Sequence, residues 1–268
     1  MRTHSTVVDG LVLAGLALYA TPVAWQLVTS LTPTGDPADV MAGLSLVHYR
    51  AVLEASPMPR ALANSVGIAA AATLLAAVLA APAAYALARL PLPGRRLLLL
   101  GIVLSTALPA VATVAPLYLI VRALGLRDTW LAVILADTSF ALPLSIWLVA
   151  GFIRDIPREL EEAAAVDGAS RLAALRHVVL PVVAPGLAAA ALLTFLFAWN
   201  EFLFAYTFTA TEASRTAPVA LALFPGVFET PWGDIAAASM LASLPPVLLV
   251  LGLRRHLVRG LLAGALKE

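Results

Sequence analysis

A chain of 268 residues that is 61% apolar and 12% charged lies far from an average soluble domain, which is about 45–50% apolar and about 25% charged. With a mean hydropathy of +0.93, the excess is too large for a big core and indicates a polytopic membrane protein. A net charge of +1 gives no reason to expect nucleic-acid binding, and the lack of cysteine excludes disulfides and cysteine metal sites.

Six apolar segments follow one another, at about 7–29, 62–88, 97–121, 130–151, 186–208 and 236–253. Each approaches or exceeds the roughly 20 residues a helix needs to span the hydrocarbon core. The first is longer than the apolar run of a signal peptide, and no small-residue cleavage site follows it, so it reads as a retained span. The expected fold is all-α: one transmembrane domain over 1–268, with six transmembrane helices and a helix–turn–helix in the loop at 154–185.

Orientation follows from the basic residues. With the N-terminus inside, twelve fall in cytoplasmic segments, among them Arg89, Arg95, Arg96, Arg154, Arg158, Arg171, Arg176 and Arg254. Five fall outside: Arg50, Arg60, Arg122, Arg127 and Arg215. Basic residues are retained on the cytoplasmic side, so both termini and the 154–185 loop are expected there. The outer loops, 30–61 and 208–235 with a short one at 122–129, carry Tyr49, Phe224, Phe228 and Trp232. These aromatics read either as an interfacial belt or as a docking rim for an extracytoplasmic protein. Prolines such as Pro22, Pro82, Pro109, Pro116, Pro143, Pro245 and Pro246 lie in or near spans, where a helix bundle absorbs the kinks they cause. No repeat relates spans 1–3 to spans 4–6, which disfavours a single-chain transporter built from inverted repeats.

The main polar interruption is Asp155–Pro185. Asp155 could cap a helix that has Pro157 in its first turn. Glu159, Glu161 and Glu162 crowd its N-terminal end, as the helix dipole favours. Leu160, Ala163, Ala164 and Asp167 fall on neighbouring positions of one face, and alanines there permit close approach by another surface. Gly168 can adopt a backbone conformation closed to other residues and break the helix. Residues 169–179 read as a second short helix, with Leu172, Leu175 and Val179 on one side, which Pro181 and Pro185 end. Physics alone leaves two readings open: a structural loop helix, or an element that a soluble protein grips and moves.

Glu162-Ala163-Ala164, three residues, Gly168, nine residues and then Val178-Val179-Leu180-Pro181 resembles the EAA loop of ABC importer permeases, with Val178 standing where the pattern has isoleucine. The segments at 61–69, 83–96, 197–203 and 259–268 are similar to the smaller permease of maltose/trehalose-type carbohydrate importers. The resemblance runs from Asn64 to the C-terminus, while the first 60 residues share only the pattern of one span and an outer loop. It implies a bacterial or archaeal inner-membrane protein that works beside a second permease in a heterodimer, two cytoplasmic ATPase subunits and an extracytoplasmic sugar-binding protein. It also implies that Glu162 pairs with a basic group on the ATPase, that Ala163 and Ala164 form the close contact beside Asp167, and that Gly168 makes the turn. The transported solute would be a disaccharide or oligosaccharide such as trehalose or maltose, moved by alternating access. Another solute, such as a glycerol phosphate, is the alternative within transport; a non-transporting assembly subunit is the alternative outside it. The chain has no phosphate-cradling G-x-x-x-x-G-K-[ST] segment, no H-E-x-x-H and no nucleophile elbow. No enzymatic activity and no cofactor are therefore expected in it, with ATP and Mg on partner subunits.

Asp137 in the fourth span and Glu201 in the fifth, next to Asn200, are acids within apolar segments. Such groups face a bundle interior or a water-filled cavity. Trp199, Asn200, Glu201 and Phe204, with Tyr206 nearby, combine amide, carboxylate and aromatic groups suited to a sugar. The resembling segment lies at or near the translocation pathway in the family. An interhelical clamp, with Glu201 bonding to the partner permease, is the alternative. The juxtamembrane cluster Arg254, Arg255, His256 and Arg259 reads as a lipid-headgroup anchor, or, by resemblance, as part of a tail that reaches the ATPase.

Overall fold

The computed structural model describes residues 2–224 and 230–265, with side-chain surroundings over 8–41, 43–224 and 230–254. Phe228, the side chains of Arg255, His256 and Arg259, and the end of the tail lie outside the described residues. In chain order come α1 (Arg2–Leu31), a 3₁₀ turn (Pro37–Ala42), α2 (Val47–Ala55), α3 (Met58–Arg89), α4 (Arg95–Ser105), α5 (Ala110–Ala123) and α6 (Trp130–Arg154). Then follow α7 (Glu159–Val166), α8 (Arg171–Ala174), a π-turn (Leu175–Val179), α9 (Leu180–Asn200), α10 (Leu203–Phe208), α11 (Ala217–Ala222) and α12 (Trp232–Ala265). There is no strand among the described residues. Among the described residues, five helices are long and apolar enough to cross a membrane, and α4 with α5 makes a sixth span if the pair is counted as one.

Two spans differ from the sequence expectation. The third, expected as one helix over 97–121, is the pair α4 and α5, which meet at 93°. The amides of Thr106, Ala107 and Leu108 each bond three residues back, to Val103, Leu104 and Ser105, so the last turn tightens. Pro109 then supplies no donor and stands in extended backbone (φ −65, ψ 124) as the N-cap of α5. Pro82, Pro116 and Pro143, by contrast, stay inside their helices.

The fifth span was expected over 186–208, after a short helix stopped by Pro181 and Pro185. Instead, Arg171–Asn200 forms one long apolar run, with Pro185 inside α9. The π-turn explains how it passes the prolines. The Leu180 N–H bonds five residues back, to Leu175, and this widened turn opens the ladder directly before Pro181, where a ring and a missing donor would otherwise break it. The run ends at Asn200 and not at 208, because Glu201 is extended (φ −66, ψ 127).

Backbone packing divides the chain into two compact units, Met1–Arg60 with Ala220–Leu244, and Ala61–Val219 with Pro245–Glu268. In the first, the hydroxyls of Ser30 and Tyr49 lie 2.8 Å apart. The His48 ring nitrogens lie 2.6 Å from the Asp234 carboxylate and 3.1 Å from the Thr32 carbonyl. Tyr49 is thus tied internally, while Trp232 is exposed.

In the second unit α6 packs along α9. Val149, Ile153, Val179 and Val183 are buried with Ala80 and Ala84 of α3. Gly186 permits this approach: a Cβ there would collide with the Phe152 ring. A second cluster joins Ile68, Val133, Phe204 and Phe208. Between membrane-spanning helices such packing gains from close van der Waals contact and not from leaving water, and it fixes the course of α6 between its two loops.

Candidate functional site

At the C-terminal end of α6, Asp155 closes that helix as its C-cap (φ −76, ψ −12). Here α7 starts at Glu159, with Arg158 at the N-cap position and no side-chain cap bond. The expected break at Gly168 is present. Gly168 has φ +83, its N–H bonds to Ala165 at 3.0 Å and the Ala169 N–H bonds to Ala164 at 2.9 Å. This pair of bonds is a Schellman ending, which needs a left-handed residue. Space is open around Gly168, so a side chain there is resisted by backbone strain and not by crowding. Ser170 starts the return helix by accepting from the Ala173 N–H at 3.3 Å.

Glu162, Ala163, Asp167 and Gly168 are exposed, and Ala164 is half-buried. Leu172, expected beside Leu175 and Val179, is exposed while those two are buried. It lies three residues ahead of Leu175, before the π-turn, and is left on the outer side of the return helix.

Sequence reasoning missed the group that holds this loop. Glu161 accepts from Arg89 Nε at 2.5 Å and from the Tyr85 hydroxyl at 2.9 Å, and Arg89 also donates to the Ile156 carbonyl at 2.7 Å. The Arg89 and Glu161 side chains are only 8% and 14% exposed, which makes this a largely buried, hydrogen-bonded ion pair. Its one visible signal was the Tyr85-x-x-x-Arg89 spacing on one face of α3.

The predicted pathway residues are placed differently from one another. Trp199 is buried and stacks on Phe195, with ring centroids 5.8 Å apart. Asn200 is exposed and donates to the Leu196 carbonyl at 2.7 Å. Glu201 accepts from the N–H groups of Phe204 and Ala205 at 2.7 and 2.9 Å, so it caps α10 of its own chain. Phe204 is buried against Phe140 and Phe208, whereas Tyr206 stacks on Phe202 and is exposed. Asp137 is wholly buried, neither carboxyl oxygen has a hydrogen-bond partner among the described residues, and it lies within electrostatic reach of Glu201.

A cavity of about 350 Å³, lined by Thr106, Phe140, Ser145, Leu193, Thr194 and Phe197 among others, was not foreseen. The Ser145 and Thr194 hydroxyls lie 2.9 Å apart. Its wall offers hydroxyls beside phenyl faces, the combination expected earlier around Asn200. Serines and threonines in apolar helices give little signal, because most bond to their own backbone.

At the other end of α6 a carboxylate closes the turn. Asp128, at φ +63, accepts from the N–H groups of Ala210 and Thr211 at 2.8 and 3.0 Å, and from the Thr211 hydroxyl at 2.8 Å. It accepts from the Ser214 hydroxyl as well. Burial acts to raise its pKa, but the bonds from Ser214, Ala210 and Thr211 together outweigh it and hold the carboxyl well below the usual carboxylate range. Asn64 extends this tie by donating to the Arg215 carbonyl at 2.8 Å.

Residues 73–262 match the family described as binding-protein-dependent transport system inner membrane component. The chain is 45% identical over 270 residues to the trehalose transport system permease protein SugB of Mycobacterium tuberculosis, covering 99% of this chain and 97% of that one. It is 36% identical to the trehalose/maltose transport system permease protein MalG of Thermococcus litoralis, covering 97% and 95%. In fold it matches a chain of a bacterial ABC transporter involved in alginate import, with TM-score 0.80, 22% identity and coverage of 94% and 95%. The apolar helices, the EAA spacing and these matches lead to one conclusion: this chain is a multi-pass membrane protein that belongs to the inner-membrane permease components of binding-protein-dependent ABC transport systems.

Proposed function

We propose that this chain is a permease subunit of an ATP-driven importer that carries a disaccharide or oligosaccharide, of the trehalose or maltose kind, into the cytoplasm by alternating access. The observation that carries the reading is the construction of the 154–185 loop. Glu161 is tied to α3 while its neighbour Glu162 points away, exposed, next to Ala163 and the left-handed Gly168. An exposed acid on a firmly held, small-residue surface suits a partner that presses on it. The solute class is supported by the relatives' own names, trehalose and trehalose/maltose transport.

In this reading the loop and both termini face the cytoplasm, and Glu162 pairs with a basic group on an ATPase subunit. Ala163 and Ala164 allow close approach beside Asp167, and Gly168 keeps the turn. Two ATPase subunits bind ATP and Mg, so the chain itself needs no cofactor and performs no hydrolysis. A second permease completes the pathway, and an extracytoplasmic binding protein delivers the sugar. Movement of the loop enters α3 through Arg89 and passes along Arg171–Asn200 to the Glu201 cap. That is rigid-body switching driven from one end. The Ser145–Thr194 cavity is the place in this chain best suited to line the sugar's route, with Asn200 exposed at the end of the same helix.

The test is ATPase activity in reconstituted complexes carrying Glu162→Ala or Gly168→Leu. Both variants are expected to insert and assemble yet lose stimulation by sugar-loaded binding protein. Stimulation at the unaltered level in both would overturn the assignment.

A further inference from the structure

Beside the polar loop, α4 and α6 enclose a groove with an unmet charge. Arg96 and Arg154 both line a depression of about 340 Å³, together with Leu99, Leu100, Val103 and Trp147. Neither arginine makes an ion pair or a side-chain hydrogen bond among the described residues. Two guanidinium groups at one mouth repel each other, and each keeps five unused donors arranged to fit a phosphate. The remaining lining is apolar.

The groove does not stop there. Val103 and Trp147 also line a second depression of about 190 Å³, whose other walls include Ile102, Thr106 and Pro143. From Arg96 to Thr106 a helix rises about 15 Å at about 1.5 Å per residue, which equals half of a hydrocarbon core roughly 30 Å thick. The two depressions adjoin at Val103 and Trp147: cationic at the loop end, flanked by the half-exposed Trp147, and mostly apolar up to the bend between α4 and α5.

We infer that this groove holds one anionic glycerophospholipid, its phosphate between Arg96 and Arg154 and an acyl chain along Leu100, Val103 and Trp147. Charge complementarity selects an anionic headgroup over a zwitterionic one, and the length selects a membrane lipid over a soluble anion. A lipid seated here touches the end of α6 that leads into the 154–185 loop, so its headgroup braces the base of that loop.

The experiment uses the full chain, stripped of lipid in detergent and mixed with phosphatidylglycerol or phosphatidylcholine, with retained lipid read by native mass spectrometry. One phosphatidylglycerol is expected to survive where phosphatidylcholine does not. Arg96→Gln with Arg154→Gln should lower retention roughly 30-fold, the combined effect of two surface cations on an anionic lipid. Val103→Trp, which fills the groove and keeps both charges, should also lose the lipid, and this separates lipid seating from loss of charge. Equal retention of the two lipids, or unchanged retention in both variants, overturns the proposal. So does displacement of the lipid by millimolar inorganic phosphate, which would identify a soluble anion. Exclusion of the lipid by a co-purified second permease would identify a protein interface and overturn it as well.

Discussion

The two ends of α6 are closed by the same chemistry and left in different states. At its start, Asp128 takes bonds from Ala210, Thr211 and Ser214, and every carboxylate bond turns inward onto the chain. At its end, Glu161 takes bonds from Tyr85 and Arg89, but the next residue, Glu162, stays exposed. One end is tied shut, whereas the other is tied on one side and open on the other. A carboxylate used only as a staple stabilises its own loop; a stapled carboxylate beside an exposed one fixes a loop that still presents a charged surface.

Breaking the inner staple should have the largest effect. Arg89→Leu leaves Glu161 as a buried charge without its partner, which costs about 3–5 kcal/mol. Thermal unfolding of the purified chain should show this loss, with Arg89→Lys retaining part of the stability. A loss in Arg89→Leu no larger than that of an exposed substitution would show that the staple is not what holds the loop. Next comes the packing between the two ends. Gly186→Val drives a side chain into Phe152 and should destabilise by about 2 kcal/mol through overpacking, with partial recovery when Phe152 is shortened to Leu.

Asp128→Asn is expected to cost about 1 kcal/mol, a charge-assisted hydrogen bond discounted for solvent access. Its pH signature distinguishes it from the other changes. Because the folded carboxyl is held below its unfolded value, its contribution is complete above about pH 4 and declines as the pH falls further. The stability gap between wild type and variant should therefore stay constant from neutral pH to about 4 and narrow below that. A gap that instead narrowed between pH 7 and 5 would assign the effect to another group. The smallest stability change belongs to Glu162→Ala, within about 0.5 kcal/mol as for an ordinary surface position. The contrast with Glu161→Ala, which should be strongly destabilising, is the sharpest test of the division between the two glutamates.

Much of this architecture is legible in the sequence, and the rest fails for identifiable reasons. Hydropathy finds the spans because a bilayer requires about 20 apolar residues in a row, whatever the packing. The left-handed Gly168 is readable because its acidic helix and its glycine are local signals. The break at Pro109 was not, since Pro82, Pro116 and Pro143 look alike in sequence and remain inside helices. The passage through Pro181 depended on a π-turn that no residue type announces. Glu161 and Glu162 are neighbours of one type, and only α3, more than seventy positions earlier, tells them apart. Glu201 was read as a mid-span charge, yet it caps a helix that begins two residues later. Here the assumption of an unbroken span hid a local signal.

The uninterrupted run from Arg171 to Asn200 sets a gear ratio for the molecule. Thirty residues at about 1.5 Å each make a rod about 45 Å long, pinned near its start by the buried Leu175 and Val179. If it turns as a rigid body, a tilt of about 5° at the loop moves the far end by about 4 Å. That far end is where Glu201 holds the first turn of α10. A stroke too small to disturb packing near the start of the rod is thereby multiplied at its far end.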